Sequence, residues 1–165
     1  MIPNPPPRIV LDTNVCLDLF VFRDPRWQPL LEAMQAGAVR AVTRADCRME
    51  WTLVLAYTKL GLDKAAREAA QAEFDRWIPL IDADVDTGVV TSSVALPVCK
   101  DPDDQKFLEL AAASGAALLL SKDKALLKLA RRTRKLGLFE IMSPAQWVDA
   151  LNAGIGTIGT TVLSA

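Results

Sequence analysis

The sequence predicts an α/β domain: a mostly parallel sheet covered by helices on both faces. Three observations predict it. Short apolar runs at Ile9–Leu11, Val39–Val42, Ala117–Leu120 and Leu138–Met142 alternate with segments of helical periodicity, the pattern of strand–helix–strand crossovers. The first run ends in an acid, a hydroxyl and an amide (Asp12-Thr13-Asn14), as expected of a strand end opening onto a ligand crevice. Hydrophobic residues make up 51% of the 165, enough for one sizeable core in one domain.

Pro3 to Pro7 cannot start a helix or sit inside a sheet, so residues 1–7 read as an extended leader. Ile9-Val10-Leu11 is a short buried strand. From Val15 to Phe22, Val15, Leu19 and Phe22 share a helical face. Asp24-Pro25 restarts a helix, with Asp as cap and Pro at the first position. It carries Trp27, Leu30, Leu31 and Met34 inward and stops at Gly37. Val39–Val42 is the second strand. Thr43 or Asp46 can cap the next helix, which runs through Met49, Glu50, Leu53, Val54 and Tyr57 to Gly61. Leu62 to Ile78 is a further helix, opened by Asp63 and broken at Pro79. Ile81 to Cys99 reads as loop with one strand.

Asp101-Pro102-Asp103-Asp104 starts a helix with Phe107, Leu108, Ala111 and Ala112 on one face, ending at Gly115. Ala117–Leu120 is an apolar strand. Ser121-Lys122-Asp123 opens a Lys- and Arg-rich helix to Leu136, Leu138–Met142 is the last strand, and Ser143-Pro144 opens the final helix to Leu151. The domain is expected over residues 8–152, with a loose Gly/Thr-rich tail over 153–165. Trp27, Trp51, Trp77 and Trp147 are expected in the core rather than as base-stacking platforms.

Asp12, Asp104 and Asp123 share a position type: the end of a strand or the start of the helix after it. In a parallel sheet these positions lie on one edge, so the three acids converge. Glu50 sits in the first turns of its helix and is expected beside them. Each aspartate also has a local explanation as a helix cap or turn residue, and Glu50 one as a solvated helix residue. Together they matter more, because carboxylates brought close repel and raise one another's pKa. A divalent cation removes that penalty. Oxygen ligands without His or Cys suit Mg2+ or Mn2+.

The chain contains no His, which excludes Ser-His-Asp and Cys-His catalysis and His-containing metal sites. Cys16, Cys47 and Cys99 are scattered, an odd number without a CxxC pair, and are expected to be reduced thiols in a cytoplasmic protein. Met1 to Arg8 lacks the apolar run of a signal peptide, and no apolar stretch is long enough to span a membrane. The formal net charge of -1 does not advertise nucleic-acid binding, although a local basic patch can suffice.

Four segments taken in order resemble the motifs of PIN-domain proteins: Leu11-Asp12-Thr13-Asn14-Val15, Arg48-Met49-Glu50, Cys99-Lys100-Asp101-Pro102-Asp103-Asp104-Gln105-Lys106-Phe107-Leu108-Glu109-Leu110-Ala111, and Leu120-Ser121-Lys122-Asp123-Lys124-Ala125-Leu126-Leu127. The resemblance covers about Arg8 to Leu151 and is nearest the branch of toxin components of toxin–antitoxin systems. It implies a three-layer α/β/α sandwich with a central mostly parallel sheet. It also implies a metal-dependent endoribonuclease whose acids are Asp12, Glu50, Asp104 and Asp123, binding Mg2+ or Mn2+. Its supporting polar residues fall on Thr13, Asn14 and Ser121, and Asp101 stands as an alternative third ligand to Asp104. The chain departs from the family at Glu50-Trp51, where a second acid or a Glu-Leu pair is common. A homodimer and an inhibiting antitoxin are further implications.

Such a site would hydrolyse phosphodiester bonds of single-stranded RNA, with Thr13, Asn14 and Ser121 orienting carboxylates or waters. Lys122, Lys124, Lys128, Arg131 and Arg132 are placed to meet backbone phosphates. Two alternatives remain: a catalytically silent PIN-like binding or scaffold module, and a HAD-type phosphatase. The phosphatase wants a second acid two residues after the first, and here that position is Asn14.

Overall fold

The computed structural model describes residues 4–81 and 95–154. Its strands are β1 (Arg8–Leu11), β2 (Arg40–Ala41), β3 (Leu118–Leu120) and β4 (Glu140–Met142). Its α-helices are α1 (Thr13–Phe20), α2 (Gln28–Gln35), α3 (Ala45–Leu55), α4 (Lys64–Trp77), α5 (Gln105–Ala113), α6 (Lys124–Leu127), α7 (Ala130–Lys135) and α8 (Pro144–Asn152). Short 3-10 turns precede α2, α4 and α5.

The strands form one parallel sheet in the order β2-β1-β3-β4. Ile9 pairs with Ala41 on one side and Leu118 on the other, and Leu119 pairs with Ile141. A parallel sheet needs both faces covered. Alternate side chains leave β1 and β3 in opposite directions. Ile9, Leu11, Leu118 and Leu120 join Val15, Leu19, Leu30, Trp51, Phe74 and Trp147 on one face. Val10 and Leu119 join Phe107, Leu108, Leu126, Phe139 and Ile141 on the other. The result is the α/β/α sandwich.

On the first face, Trp51 stacks on Phe74 with ring centroids 5.1 Å apart at 15°, and Phe20 meets both edge-on at 6.2 Å. Each such contact adds about 0.5–1.5 kcal/mol beyond area burial. The trio clamps α1, α3 and α4 together behind the residues that reach the sheet edge. Trp27, Trp51 and Trp147 are buried, whereas Trp77 is only partly so, with Arg76 over its ring.

Several elements differ from the sequence expectation. Glycine and proline signals placed boundaries too wide: β2 is two residues, and α3 ends at Leu55 rather than Gly61. Phe22 does not join Val15 and Leu19, because α1 ends at Phe20 and Arg23 turns the chain at φ 52°, leaving Phe22 57% exposed. In α3 the buried stripe is Cys47, Trp51 and Leu55; Met49 and Leu53 face outward, as does Tyr57 just beyond the helix. Neither Thr43 nor Asp46 caps α3. The N-cap is Arg44, without a side-chain cap; Asp46, in the first turn, accepts from the Arg44 guanidinium and from the Cys47 amide. The basic helix expected over Ser121 to Leu136 is two helices, since a tight turn from the Leu129 amide to the Leu126 carbonyl interrupts it.

Leu80 bridges in parallel to Thr43, extending the β2 edge. The strand expected within Ile81 to Cys99 falls largely on residues 82–94, outside the described ones, as do residues 1–3 of the leader and 155–165 of the tail.

Candidate active site

The strand order reverses between β1 and β3: the chain steps from β1 to β2 on one side and returns to place β3 on the other. The carboxyl ends of these two strands flank the switch-point crevice where α/β sheets bind ligands. Asp12 leaves β1 there and Ser121 leaves β3 there, and the Asp12 amide donates to the Leu120 carbonyl at 2.9 Å.

Asp12 is the N-cap of α1 and is buried. Its Oδ1 accepts from the Thr13 amide at 2.7 Å; its Oδ2 accepts from Ser121 Oγ at 2.6 Å and Asn14 Nδ2 at 3.3 Å. Burial pushes its pKa up to about 6 against the lowering effect of the Ser121 and Thr13 hydrogen bonds, with Glu50 and Asp123 adding to the rise. Ser121 Oγ also accepts from the Asp123 amide at 2.9 Å. Asn14 Oδ1 accepts from the Lys122 amide at 3.3 Å, so α1 and the β3 end are tied twice.

Asp101, Asp104 and Asp123 each place one carboxylate oxygen within 4.8 Å of the others. Asp101 caps the 3-10 turn Pro102–Asp104 by accepting from the Asp103 amide, and Asp123 caps α6 by accepting from the Ala125 amide at 2.8 Å. Asp104, by contrast, makes no capping bond although it precedes α5. It is buried, 9% exposed, and its Oδ2 has no hydrogen-bond partner. Burial drives its pKa well above the ordinary carboxylate range, and the neighbouring Asp123, Asp12 and Asp101 push the same way.

Glu50 joins through side chains. Its Oε2 accepts from the Thr13 hydroxyl, and its Oε1 lies 2.9 Å from Lys106 Nζ. Partial burial alone would lower the Lys106 pKa; the Glu50 carboxylate outweighs this and the net shift is upward. The structure therefore brings Asp101, Asp104 and Asp123 together; Asp12 and Glu50 lie outside that 4.8 Å group and join the same edge through Thr13, Asn14 and Ser121. Among the described residues no Lys or Arg forms an ion pair with Asp12, Asp101, Asp104 or Asp123.

That donor set is all oxygen, and one buried oxygen is left without a partner. Both features fit a hard divalent cation, which would offset the mutual repulsion of the acids.

Two residues at this edge escaped the sequence reading. Lys106 was visible in the Asp104–Phe107 segment but carried no signal of its pairing with Glu50 across 56 residues. Asp18, one helical turn after Asn14, is buried with its Oδ2 2.6 Å from Lys122 Nζ, an ion pair outside hydrogen-bond geometry. Lys122 is thereby engaged within the protein, whereas Lys124, Lys128, Arg131 and Arg132 are exposed and form no ion pair among the described residues. The three cysteines are free and buried. Among the described residues no helix is long and apolar enough to cross a membrane.

Comparison with known proteins agrees with this architecture. A crystal structure of VapBC2 from Rickettsia felis bound to a DNA fragment from their promoter contains a chain of similar fold. The TM-score is 0.52 at 11% identity, covering 82% of this chain and 98% of that one. Curated proteins yield no matching relative. The family described as PIN domain matches residues 8–125, a span from the start of β1 to α6 that takes in every acid of the cluster, and the chain belongs to the PIN-domain family.

Proposed function

We propose that the protein is a divalent-cation-dependent endoribonuclease that hydrolyses phosphodiester bonds of single-stranded RNA, acting as the toxin of a toxin–antitoxin pair. PIN domains are typically nucleases, which supports the reaction class. The observation that carries the proposal is Asp104: a buried carboxylate with an unpartnered oxygen, grouped with Asp101 and Asp123 and without a basic partner. A fold gains nothing from such an arrangement alone, because an uncompensated buried acid is destabilising.

In this reading Asp12, Asp104 and Asp123 hold a Mg2+ or Mn2+ ion, and Glu50 is the fourth acid of the site. Asp101, exposed where Asp104 is buried, is the weaker choice for the third ligand. When bound, the ion supplies positive charge that acidifies water and offsets charge developing on a phosphoryl oxygen. The chain does the positioning. Ser121 and the Thr13 amide fix the Asp12 carboxylate from two sides, and Asn14 adds a third donor. Thr13 fixes Glu50. Lys124, Lys128, Arg131 and Arg132 meet the phosphates of the substrate strand without reading its bases.

The toxin role rests on resemblance to that branch of the family and on the fold shared with VapBC2. It carries with it a homodimer, a cognate antitoxin protein and a cytoplasmic setting, the last consistent with three free cysteines. The experiment incubates the protein with labelled single-stranded RNA, single-stranded DNA and a chromogenic phosphomonoester, each with Mn2+ and with EDTA. RNA cleavage in Mn2+ alone supports the proposal. Cleavage of DNA only, release from the monoester, or no turnover of any substrate rejects it, the last in favour of a silent binding module.

A further inference from the structure

We infer that Lys106 takes the place of a second divalent cation, so that the centre binds one ion, on the Asp12, Asp104 and Asp123 side, and Glu50 is not a ligand. The inference rests on the metal site proposed above.

Three contacts pin Lys106. Its Nζ lies 2.9 Å from Glu50 Oε1, it donates to the Asp103 carbonyl beside Asp104, and it stands 5.1 Å from the Phe107 ring centroid. The pair is largely withdrawn from water, with side-chain exposures of 18% and 28%, so salt screens it less than a surface pair. The other oxygen of Glu50 is taken by the Thr13 hydroxyl. Both oxygens of this acid are thus satisfied by the chain itself, and its charge is neutralised by a fixed cation.

The remaining acids lack such a cation, although both oxygens of Asp12 accept hydrogen bonds from the chain. Asp12, Asp101, Asp104 and Asp123 form no ion pair among the described residues, and Asp104 keeps an unpartnered buried oxygen. Asp18, on α1, is neutralised by Lys122 as Glu50 is by Lys106. Two built-in cations therefore each pair with one acid and leave the acidic group without one. A dication would compensate that group, whereas one placed at Glu50 would have to displace an ammonium already held in place.

The test titrates metal-free protein with Mn2+, reading stoichiometry by calorimetry and free ion by electron paramagnetic resonance, with circular dichroism to verify the fold of each variant. The wild type is expected to take up one ion. Glu50→Gln should also bind one, with a Kd within about threefold of the wild type, since a true ligand or its orienting partner changes affinity by about tenfold or more. Lys106→Met frees Glu50 and should admit a second, weaker ion; Lys106→Arg keeps the charge and should restore one. Two ions in the wild type, a tenfold loss of affinity in Glu50→Gln, or a single ion in Lys106→Met each overturns the inference while leaving the metal site standing. No uptake by the wild type removes the metal site and the inference together. Should Lys106→Met fail to fold, Glu50→Gln alone decides.

Discussion

The fully buried Ser121 hydroxyl donates to Asp12 Oδ2 over 2.6 Å, so the end of β3 holds the carboxylate at the end of β1. Ser121 Oγ in turn accepts from the Asp123 amide. One small side chain thereby sets the distance between two acids that lie 111 positions apart in the chain. Ser121→Ala deletes a hydrogen bond to a charged acceptor, a loss of about 1.5–3 kcal/mol. Urea denaturation of the metal-free variant should show a drop in that range, and calorimetry should show Mn2+ affinity reduced about tenfold. A variant equal to the wild type in both would mean that Ser121 only fills space.

Asp104 stands where function and stability conflict. Its buried oxygen lacks a partner, and three acids face it. Asp104→Asn removes the charge at nearly constant volume. The metal-free variant should therefore be more stable than the wild type at pH 8, on the order of 1–2 kcal/mol, as expected when an uncompensated buried group is neutralised. It should also lose stabilisation by Mn2+ and cleavage of RNA. Thermal melts with and without Mn2+ check both halves. A less stable variant would show that the charge of Asp104 serves the fold.

The pH dependence of the metal-free protein follows from the same acids. Asp12 rises from 3.8 to about 6 on folding, and Asp104 shifts upward as well. A carboxyl with a raised pKa keeps its proton in the folded state at pH values where the unfolded chain has lost it. Its favourable contribution is complete below the unfolded pKa and is lost as pH rises through the folded one. The melting temperature of metal-free protein should therefore fall between about pH 5 and pH 8. Saturating Mn2+ should reverse the fall at pH 8 and do little at pH 5, where protons compete for the same oxygens. A metal-free stability that climbs across this window would contradict the assignment of Asp12 and Asp104 as uncompensated acids.

The exposed basic residues after Asp123 carry their own expectation. Arg131 and Arg132 are exposed at the start of α7 and form no ion pair among the described residues. Reversal of both to Glu should weaken binding of single-stranded RNA and lower the slope of log affinity against log salt, because each phosphate contact contributes about 0.7 to that slope. Filter binding across a salt series reads it. An unchanged slope would put the substrate track elsewhere on the molecule.

Much of this was legible in the residues, and what was not has identifiable causes. Strand ends and helix starts are local signals, so Asp12 and Asp123 could be placed at one edge from Ile9-Val10-Leu11 and Ala117–Leu120 alone. The capping explanation held for Asp12, Asp101 and Asp123 but not for Asp104, and only the fold shows which acid is left without a donor. In the helix expected to run to Gly61, two stripes at the same four-residue spacing compete: Met49-Leu53-Tyr57 and Cys47-Trp51-Leu55. Periodicity cannot choose between them; the aromatic contact of Trp51 with Phe74 does. The pairs Glu50–Lys106 and Asp18–Lys122 join residues far apart in the chain, and no local pattern announces such partners.

If the acids that follow β1 and β3 and precede α5 share one divalent cation, anomalous diffraction from Mn2+-soaked crystals will show a manganese peak in contact with Asp12, Asp104 and Asp123. A crystal with no peak there, or with the ion bound only at other acids, would overturn the proposed metal site.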